Sequence, residues 1–276
     1  MPELPEVETI RRGVDANFRG AEIAEADVLH QRAVRRQAEG GEFFAQSLAG
    51  ARITGSSRRG KYMWLTLDSG QALLCHLGMS GQFHAVTEKI PAHRHLRIAL
   101  RFTDGRELWF VDQRTFGGME VTEMADGLPE RISHIAPDVF DPAYDADRAV
   151  ERLRAKRSEV KRVLLDQGWV SGIGNIYADE ALWRAGLSPV RSGHRVGTAK
   201  AADLLSHVTD VLTEAVTAGG TSFDELYVNV NGESGYFDRS LNAYGRAGQP
   251  CRRCETVMRK RVVGGRATHH CPHCQR

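Results

Sequence analysis

Cys251-Arg-Arg-Cys254 and Cys271-Pro-His-Cys274, with sixteen residues between them, form the strongest pattern in this 276-residue chain. Two Cys-x-x-Cys pairs at this spacing place four thiolates where a tetrahedral Zn²⁺ needs them. We favour one structural Zn²⁺ over two alternatives, a pair of disulfides or a redox Cys-x-x-Cys. The intervening residues 259–266 predict a strand, a Gly-Gly turn and a return strand with basic side chains at the tip. We therefore expect a β-hairpin zinc finger that contacts nucleic acid.

Positive charge is concentrated in the same segment. Residues 245–276 carry eight Lys and Arg residues against one Glu, a net charge of +7, although the whole chain carries only +2. The remainder is therefore mildly acidic, which favours nucleic-acid contact through certain faces only. A solvated charged tail would explain the charge but not the cysteines.

Composition limits the class of protein. At 276 residues and 41% hydrophobic, the chain is long enough for two domains with buried cores. No stretch approaches the eighteen or so apolar residues of a membrane helix, and Glu3, Glu6 and Glu8 stand where a signal peptide would be basic and then apolar. We expect a cytoplasmic monomer with no membrane partner. Cys75, inside an apolar run, is expected to be a buried structural thiol.

The rest of the chain predicts an α+β protein. Residues 5–18 place Val7, Ile10, Val14 and Phe18 on one face of an N-terminal helix. Between residues 21 and 121, short apolar runs separated by turn residues predict an antiparallel β-sandwich or barrel. These runs are residues 23–29, 51–57, 62–67, 72–77, 82–86, 96–102, 107–111 and 119–121.

A proline-containing connection at residues 125–145 precedes a helical region. Its predicted helices are residues 147–167, 176–185 and 198–218. We therefore divide the chain into an N-terminal helix and β-sandwich domain (1–130), a helical domain (131–244) and the finger (245–276).

The connection between the first two of these helices is glycine-rich, Gly168-Trp-Val-Ser-Gly-Ile-Gly-Asn175. A glycine turn that leads into a helix can direct backbone N–H groups at a phosphate. The alternative is an ordinary tight turn between helices. The nearby arginine-rich finger favours the phosphate site.

Several motifs, in matching order and over nearly the whole chain, resemble bacterial formamidopyrimidine-DNA glycosylases, the 8-oxoguanine repair enzymes. They are Met1-Pro-Glu-Leu-Pro-Glu-Val-Glu-Thr9, Gly60-Lys-Tyr62, His76-Leu-Gly-Met-Ser-Gly81, Asp112-Gln-Arg-Thr-Phe-Gly117, Gly172-Ile-Gly-Asn-Ile-Tyr-Ala178, Tyr236-Phe237, Tyr244-Gly-Arg246 and the terminal cysteines. The resemblance implies a helix-two-turn-helix in the helical domain. It also implies a bifunctional glycosylase and AP lyase that excises oxidised purines, 8-oxoguanine and formamidopyrimidines, from double-stranded DNA.

The same resemblance implies four catalytic residues. Pro2, after removal of Met1, would supply the secondary amine that attacks C1′ of the sugar and forms a Schiff base. Glu3 would be the general acid, and Glu6 a second carboxylate of the site. Lys61 would handle proton transfer in the first elimination, and Arg266 would bind phosphates and assist the second. Without the resemblance, Pro2 would be interpreted as a chain end, the glutamates as acidic residues at a helix start, and Lys61 and Arg266 as surface cations.

A base can react only after it leaves the duplex, so other residues must fill the space that it vacates. Three residues match the family's positions for this task. Met79 would be an apolar plug, Arg114 would contact the orphaned cytosine, and Phe116 would be a wedge in the base stack. Thr115 departs from a frequent second arginine, which puts one phosphate contact in doubt. Without the resemblance, Met79 and Phe116 would be interpreted as core residues.

DNA-contact positions of the family match His93, Arg114, Arg157, Lys161 and Asn175. Arg157 stands for a frequent lysine, which keeps the charge but changes the hydrogen-bond geometry. Residues 219–236 resemble the loop that closes over the flipped purine.

Two alternatives remain open. An endonuclease VIII-type enzyme would share the fold but prefer oxidised pyrimidines, and the N-terminal motif with the long 220–236 segment favours the purine enzyme. A zinc-ribbon protein without catalysis would explain the finger but not the N-terminal motif.

Overall fold

The computed structural model describes residues 2–88, 90–220, 237 and 241–276. The chain forms two compact units. The first contains Met1–His134 with Gly219–Tyr236, and the second contains Ile135–Ala218 with Phe237–Arg276. Each unit has its own core, so each is described separately.

The first unit begins with helix α1, Leu4–Phe18. Val7, Val14 and Phe18 are fully buried and Ile10 is nearly so, as their helical spacing predicts. Glu6 accepts a hydrogen bond from the Glu3 backbone N–H at 2.9 Å, which satisfies one of the N–H groups that a helix start leaves unpaired. The helix packs against the sandwich with its apolar face.

Two four-stranded antiparallel sheets form the sandwich. One has the order β1-β6-β7-β5 and the other β2-β3-β4-β8. The strands are β1 Ile23–Val28, β2 Ile53–Arg59, β3 Tyr62–Leu67, β4 Ala72–His76, β5 Gly81–Val86, β6 Leu96–Phe102, β7 Glu107–Asp112 and β8 Gly118–Thr122. This confirms the predicted sandwich, and each predicted run overlaps one strand.

The sandwich core also includes a helix that the sequence analysis did not assign, α2, Gly40–Leu48. Phe44 and Leu48 are fully buried in the core between the sheets, and Cys75 is buried there as expected. The unit is completed by 3₁₀ turns at Gln31–Val34 and Glu130–Ile132, and by the short pair β9 Met124–Ala125 and β10 Leu128–Pro129.

The second unit contains four α-helices among the described residues. They are α3 Ala146–Arg154, α4 Val160–Leu164, α5 Asn175–Arg184 and α6 Thr198–Thr217, with a 3₁₀ turn at Gly193–Arg195. The predicted single helix over residues 147–167 was wrong, because the chain leaves helical geometry after α3. Val160 N–H donates to the Arg191 carbonyl and His194 N–H to the Lys156 carbonyl, so residues 156–160 pair with another segment instead.

Helix α5 is buried on all sides: seven consecutive residues from Tyr177 to Trp183 are buried. The hairpin at the end of the chain consists of β11, Arg259–Val263, and β12, Arg266–His270, joined by Gly264-Gly265. This confirms the predicted finger hairpin. No helix among the described residues is long and apolar enough to span a bilayer.

Candidate functional site

The N-terminal end of α1 carries the first group of predicted catalytic residues. Pro2 is buried, and Glu3 and Glu6 are only 3% and 7% exposed. Both residues lie at the electropositive N-terminal end of the helix. Gly220, with φ of +87°, closely approaches Glu6: a Cβ at this position would come within 2.9 Å of Glu6 Oε1. The described part of the predicted lesion loop therefore starts beside this acid, and the rest of the loop lies outside the described residues.

Lys61 lies in the two-residue turn, Gly60-Lys61, between β2 and β3. Arg58 fastens this turn to α1. Its guanidinium contacts Glu8 Oε2 at 3.3 Å and donates to the Gly60 carbonyl at 3.0 Å. The helix that starts after Glu3 and the turn that carries Lys61 are thus joined by one buried arginine.

Glu8 is the acceptor of a wider network. Arg11 and Arg12 donate to its oxygens at 2.9 and 2.7 Å, in addition to Arg58. Burial by itself would raise the pKa of Glu8, but the hydrogen bonds from Arg11 and Arg12 and the charges of Arg11 and Arg58 outweigh it and lower the pKa to about 2. The carboxylate is therefore charged at neutral pH and holds the turn in place.

The predicted void-filling residues lie on two loops of the first unit that touch through their backbones. Gly78, with φ of +63°, leaves no room for a side chain, since a Cβ would come within 2.3 Å of Gly117 N. Met79 follows Gly78 and is half-buried, whereas Arg114 and Phe116 are exposed. The Arg114 guanidinium lies 5.6 Å from the centre of the Phe116 ring. The structure thus places Met79 and Phe116, the predicted plug and wedge, on adjoining loops.

Asp112, fully buried, organises the second of these loops. Its carboxylate accepts hydrogen bonds from Ser80 Oγ at 2.5 Å, Arg114 N at 3.2 Å and Gly117 N at 2.8 Å. From the other side, Arg35 donates to the carbonyls of Phe116 and Gly117, each at 2.8 Å. These bonds hold Thr115 at φ of +53°, which is unfavourable for a β-branched residue. The exposed Arg114 and Phe116 therefore project from a fixed backbone.

The predicted DNA-contact residues are distributed over both units. His93 and Arg157 are exposed. Asn175 begins α5, and its Nδ2 donates to the Ala267 carbonyl of β12 at 2.9 Å. Lys161 is fully buried, with its ammonium 2.5 Å from Asp179 Oδ1. These five DNA contacts stay predictions, and Lys161 lies in surroundings unlike those of the other four.

Four thiolates converge in the finger. The Sγ atoms of the four cysteines lie within 4.8 Å of one another, and this is the one such cluster of possible metal ligands among the described residues. Zn–S bonds of about 2.3 Å in a tetrahedral site place sulfurs at such separations. Trp183 Nε1 donates to Cys251 Sγ at 3.4 Å, and the Arg253 guanidinium lies 4.0 Å from the centre of the Trp183 indole ring. Four thiolates leave no position for substrate, so a zinc ion held here is structural. The cluster consists of Cys251, Cys254, Cys271 and Cys274.

Known families match the chain along its length. Residues 1–119 match the formamidopyrimidine-DNA glycosylase N-terminal domain, residues 135–225 the H2TH domain of that enzyme, and residues 248–276 a zinc finger found in FPG and IleRS. The formamidopyrimidine-DNA glycosylase of Streptomyces coelicolor is 55% identical over 280 residues, which span all of this chain and 98% of the relative. The chain belongs to the formamidopyrimidine-DNA glycosylase family.

Other relatives agree. The formamidopyrimidine-DNA glycosylase of Mycolicibacterium smegmatis is 55% identical over 279 residues, spanning all of this chain and 97% of the relative. Lactococcus lactis Fpg bound to abasic-site DNA has a TM-score of 0.87 at 31% identity, with both chains fully covered. The same bacterium's enzyme bound to DNA with an oxidised pyrimidine has a TM-score of 0.90 at 33% identity, again over both whole chains.

Membership of the formamidopyrimidine-DNA glycosylase family makes this chain a DNA glycosylase and AP lyase of base excision repair with a structural zinc finger. It rules out the alternative of a zinc-ribbon protein without catalysis. Sequence patterns did not predict the supporting roles of the residues that hold the site, namely Glu8, Arg58, Asp112, Asp179 and Trp183. The only signal for Asp112 was its place in a family motif, because its partners are distant in sequence.

Proposed function

We propose that this protein excises oxidised purines from double-stranded DNA through a Schiff base on Pro2 and then cuts the strand by β,δ-elimination. The observation that carries the proposal is the buried Pro2-Glu3 end of α1, with the Lys61 turn fastened to the same helix through Arg58. Family membership supports it, since the relatives are named formamidopyrimidine-DNA glycosylase.

Pro2 supplies the nucleophile in this proposal. Once Met1 is removed, its nitrogen is a secondary amine, and the start of α1 adds positive potential beside it. Positive potential favours the unprotonated amine, which is the nucleophilic form. The amine attacks C1′ of the damaged nucleotide, the bond from C1′ to the base breaks, and the electron pair of that bond leaves with the base. The bond from C1′ to the ring oxygen then breaks: its electron pair stays on that oxygen, which takes up a proton, and the nitrogen, having lost its proton, forms the C=N bond of the iminium ion. This iminium ion withdraws electrons for the eliminations that follow.

The other catalytic residues move protons or bind charge. Glu3 protonates the departing group as the sugar ring opens or the base leaves. Lys61 takes part in proton transfer during the first elimination, and the Glu8–Arg58 pair keeps its turn in position. Arg266 binds the phosphates at the lesion and assists the second elimination, so the gap carries phosphate at both ends.

A second group of residues opens the duplex and holds it. Phe116 separates the stacked bases, Met79 fills the vacated space and Arg114 contacts the orphaned cytosine. The exposure of Arg114 and Phe116 on a loop fixed by Asp112 supports these roles. His93, Arg157 and Asn175 contact the DNA backbone. The division into three domains and the action of the protein as a cytoplasmic monomer on chromosomal DNA belong to the same proposal.

Borohydride trapping on a duplex with 8-oxoguanine opposite cytosine tests the mechanism. Protein with Met1 removed is expected to form a covalent adduct, and Pro2→Gly or retained Met1 should abolish it. Lys200→Met, an exposed residue of α6, is the matched control and should trap like the wild type. An undiminished adduct in the Pro2 variant would contradict the Pro2 mechanism.

Lesion preference separates the purine enzyme from the endonuclease VIII type. L. lactis Fpg has been solved with DNA containing an oxidised pyrimidine, so both lesion classes need comparison. We expect faster excision of 8-oxoguanine opposite cytosine than of thymine glycol under the same conditions. The reverse order would support the pyrimidine alternative.

A further inference from the structure

Lys161 is a buried cation of the second unit. Its side chain is fully buried, as is that of Asp179, and the two ions are 2.5 Å apart. The ammonium also donates to the Asn175 carbonyl at 3.0 Å. For this lysine to contact a phosphate, it would have to leave Asp179 as an unpaired buried charge, which is strongly unfavourable.

The second oxygen of Asp179 binds the zinc hairpin. Oδ2 accepts a hydrogen bond from the His269 backbone N–H at 2.8 Å, and His269 Nδ1 lies 3.2 Å from the same oxygen. His269 belongs to β12 and is 7% exposed. One carboxylate therefore joins α4, through Lys161, to α5 and β12.

A second link runs parallel to the first, from the Asn175 side chain to the Ala267 carbonyl at 2.9 Å. Asn175 lies four residues, about one helical turn, before Asp179. Arg266 begins β12, three residues before His269. Asn175 and Arg266, two of the residues proposed to contact DNA, therefore lie on the helix and the strand that Asp179 joins.

We infer that Lys161, Asp179 and His269 form a buried polar node that positions Asn175 and Arg266 for DNA. Lys161 is thus a positioning residue rather than a phosphate contact. The inference rests on the proposed function, in which Asn175 and Arg266 engage the DNA backbone. It assigns roles to Asp179 and His269, which the sequence analysis did not single out.

Lysine reactivity in the wild-type protein tests the placement of Lys161. Reductive methylation followed by mass spectrometry should leave Lys161 unmodified both with and without a duplex containing an abasic-site analogue. Exposed Lys200 should be modified in both samples. Modification of Lys161 in the free protein, followed by protection with DNA, would show a direct contact and overturn the inference.

Asp179→Asn separates positioning from direct contact, because it keeps the charge of Lys161 but breaks the node. We expect both Asp179→Asn and Lys161→Met to weaken duplex binding by roughly tenfold or more. Lys200→Met and Asp203→Asn, an exposed pair 2.8 Å apart on α6, are the matched controls. A direct phosphate contact predicts that only Lys161→Met loses affinity, with its salt slope reduced by about 0.9.

The double variant Lys161→Met/Asp179→Asn keeps the inference testable if a single variant folds poorly. It removes both buried charges and retains an amide oxygen for the His269 N–H. We expect it to bind DNA more tightly than either single variant, whereas a direct contact predicts no recovery. Zinc content and circular dichroism establish that each variant is folded.

Product analysis provides a readout that general destabilisation would not change. With Arg266 misplaced, the single variants should accumulate the β-elimination product, while borohydride trapping at saturating DNA stays within about twofold of wild type. If borohydride trapping, β-elimination and δ-elimination all fell by the same factor in the single variants, the positioning role would be refuted. Failure of the wild type itself to trap would instead refute the proposed function.

Discussion

At the scale of single residues, two carboxylates, partly buried Glu8 and fully buried Asp112, fix the groups proposed to contact DNA. Glu8 holds the Lys61 turn through Arg58, and Asp112 holds the loop with Arg114 and Phe116. Each carboxylate is satisfied by several donors, which compensates for the cost of burying its charge. Their partners lie up to fifty residues away in sequence, so spacing along the chain does not reveal them.

The lowered pKa of Glu8 predicts a specific acid sensitivity. Its folded pKa of about 2 lies below the ordinary value of 4.5, so its stabilisation is complete above pH 4.5 and is lost as pH falls toward 2. The contribution at neutral pH is at most about 3 kcal/mol. Urea unfolding between pH 7 and 2 should show Glu8→Gln less stable at neutral pH and less dependent on pH below 4.5. Glu22→Gln, which removes an exposed ion pair with Arg52, is the control. If the free energy of unfolding depended on pH equally in the wild type and in Glu8→Gln, the stabilising role of Glu8 would be contradicted.

Asp112→Asn should loosen the loop that carries Arg114 and Phe116. The substitution weakens the hydrogen bonds that residue 112 accepts from Ser80 Oγ and from two backbone N–H groups. The free energy of unfolding should therefore fall by roughly 2 kcal/mol. Affinity for a duplex with an abasic-site analogue opposite cytosine should fall as well. Gln113→Ala, at the exposed neighbouring position, should change neither quantity. Wild-type binding by Asp112→Asn would show that the loop does not need this carboxylate.

At the scale of elements, α5 is the central helix of the second unit. Two neighbouring acidic residues of α5 bind different segments. Asp179 accepts a hydrogen bond from β12, and Glu180 accepts hydrogen bonds from the backbone N–H groups of residues 242–244 at 2.8–2.9 Å. Trp183, one turn further, reaches Cys251 in the finger. A helix that is buried on all sides can hold together the glycine-rich turn before it and the zinc hairpin.

Trp183→Phe should weaken zinc retention, since it removes the N–H donor to Cys251 but keeps an aromatic ring under Arg253. We expect zinc release to a competing chelator to accelerate by roughly tenfold. In Co²⁺-substituted protein, the thiolate charge-transfer band should shift. Trp109→Phe, in the β-sandwich, is the matched control. Identical release rates for wild type and Trp183→Phe would show that the hydrogen bond to the thiolate has no effect on the metal.

At the scale of the whole molecule, the predicted site residues are distributed over two units, each with its own core. The first unit carries Pro2, Glu3, Lys61 and the loops with the predicted void-filling residues, and the second carries the glycine-rich turn at residues 168–175 and the finger. Only the second unit contains a metal-ligand cluster among the described residues. Zinc should therefore stabilise one unit and not the other.

Removal of zinc is expected to unfold the hairpin and abolish DNA binding while the β-sandwich stays folded. Limited proteolysis with mass spectrometry should find new cleavage sites within residues 241–276 and none within residues 2–88. Restored Zn²⁺ should restore DNA binding. Full affinity of the metal-free protein for lesion DNA would contradict this expectation.

The sequence by itself determined the elements whose physics is local. Cysteine spacing predicted the finger because it matches the ligand geometry of a zinc site. The Val7–Phe18 period predicted α1, and short apolar runs between turn residues predicted the sandwich, because both patterns reflect local backbone geometry. The prediction of one helix over residues 147–167 was wrong because the backbone of residues 156–160 forms hydrogen bonds with residues 191–194. No local sequence pattern encodes that pairing. Only the tertiary structure decided that Lys161 is a buried partner of Asp179, since burial depends on which distant segments surround a side chain. The family resemblance predicted a DNA contact at Lys161, and the fold placed the charge of this lysine inside the protein.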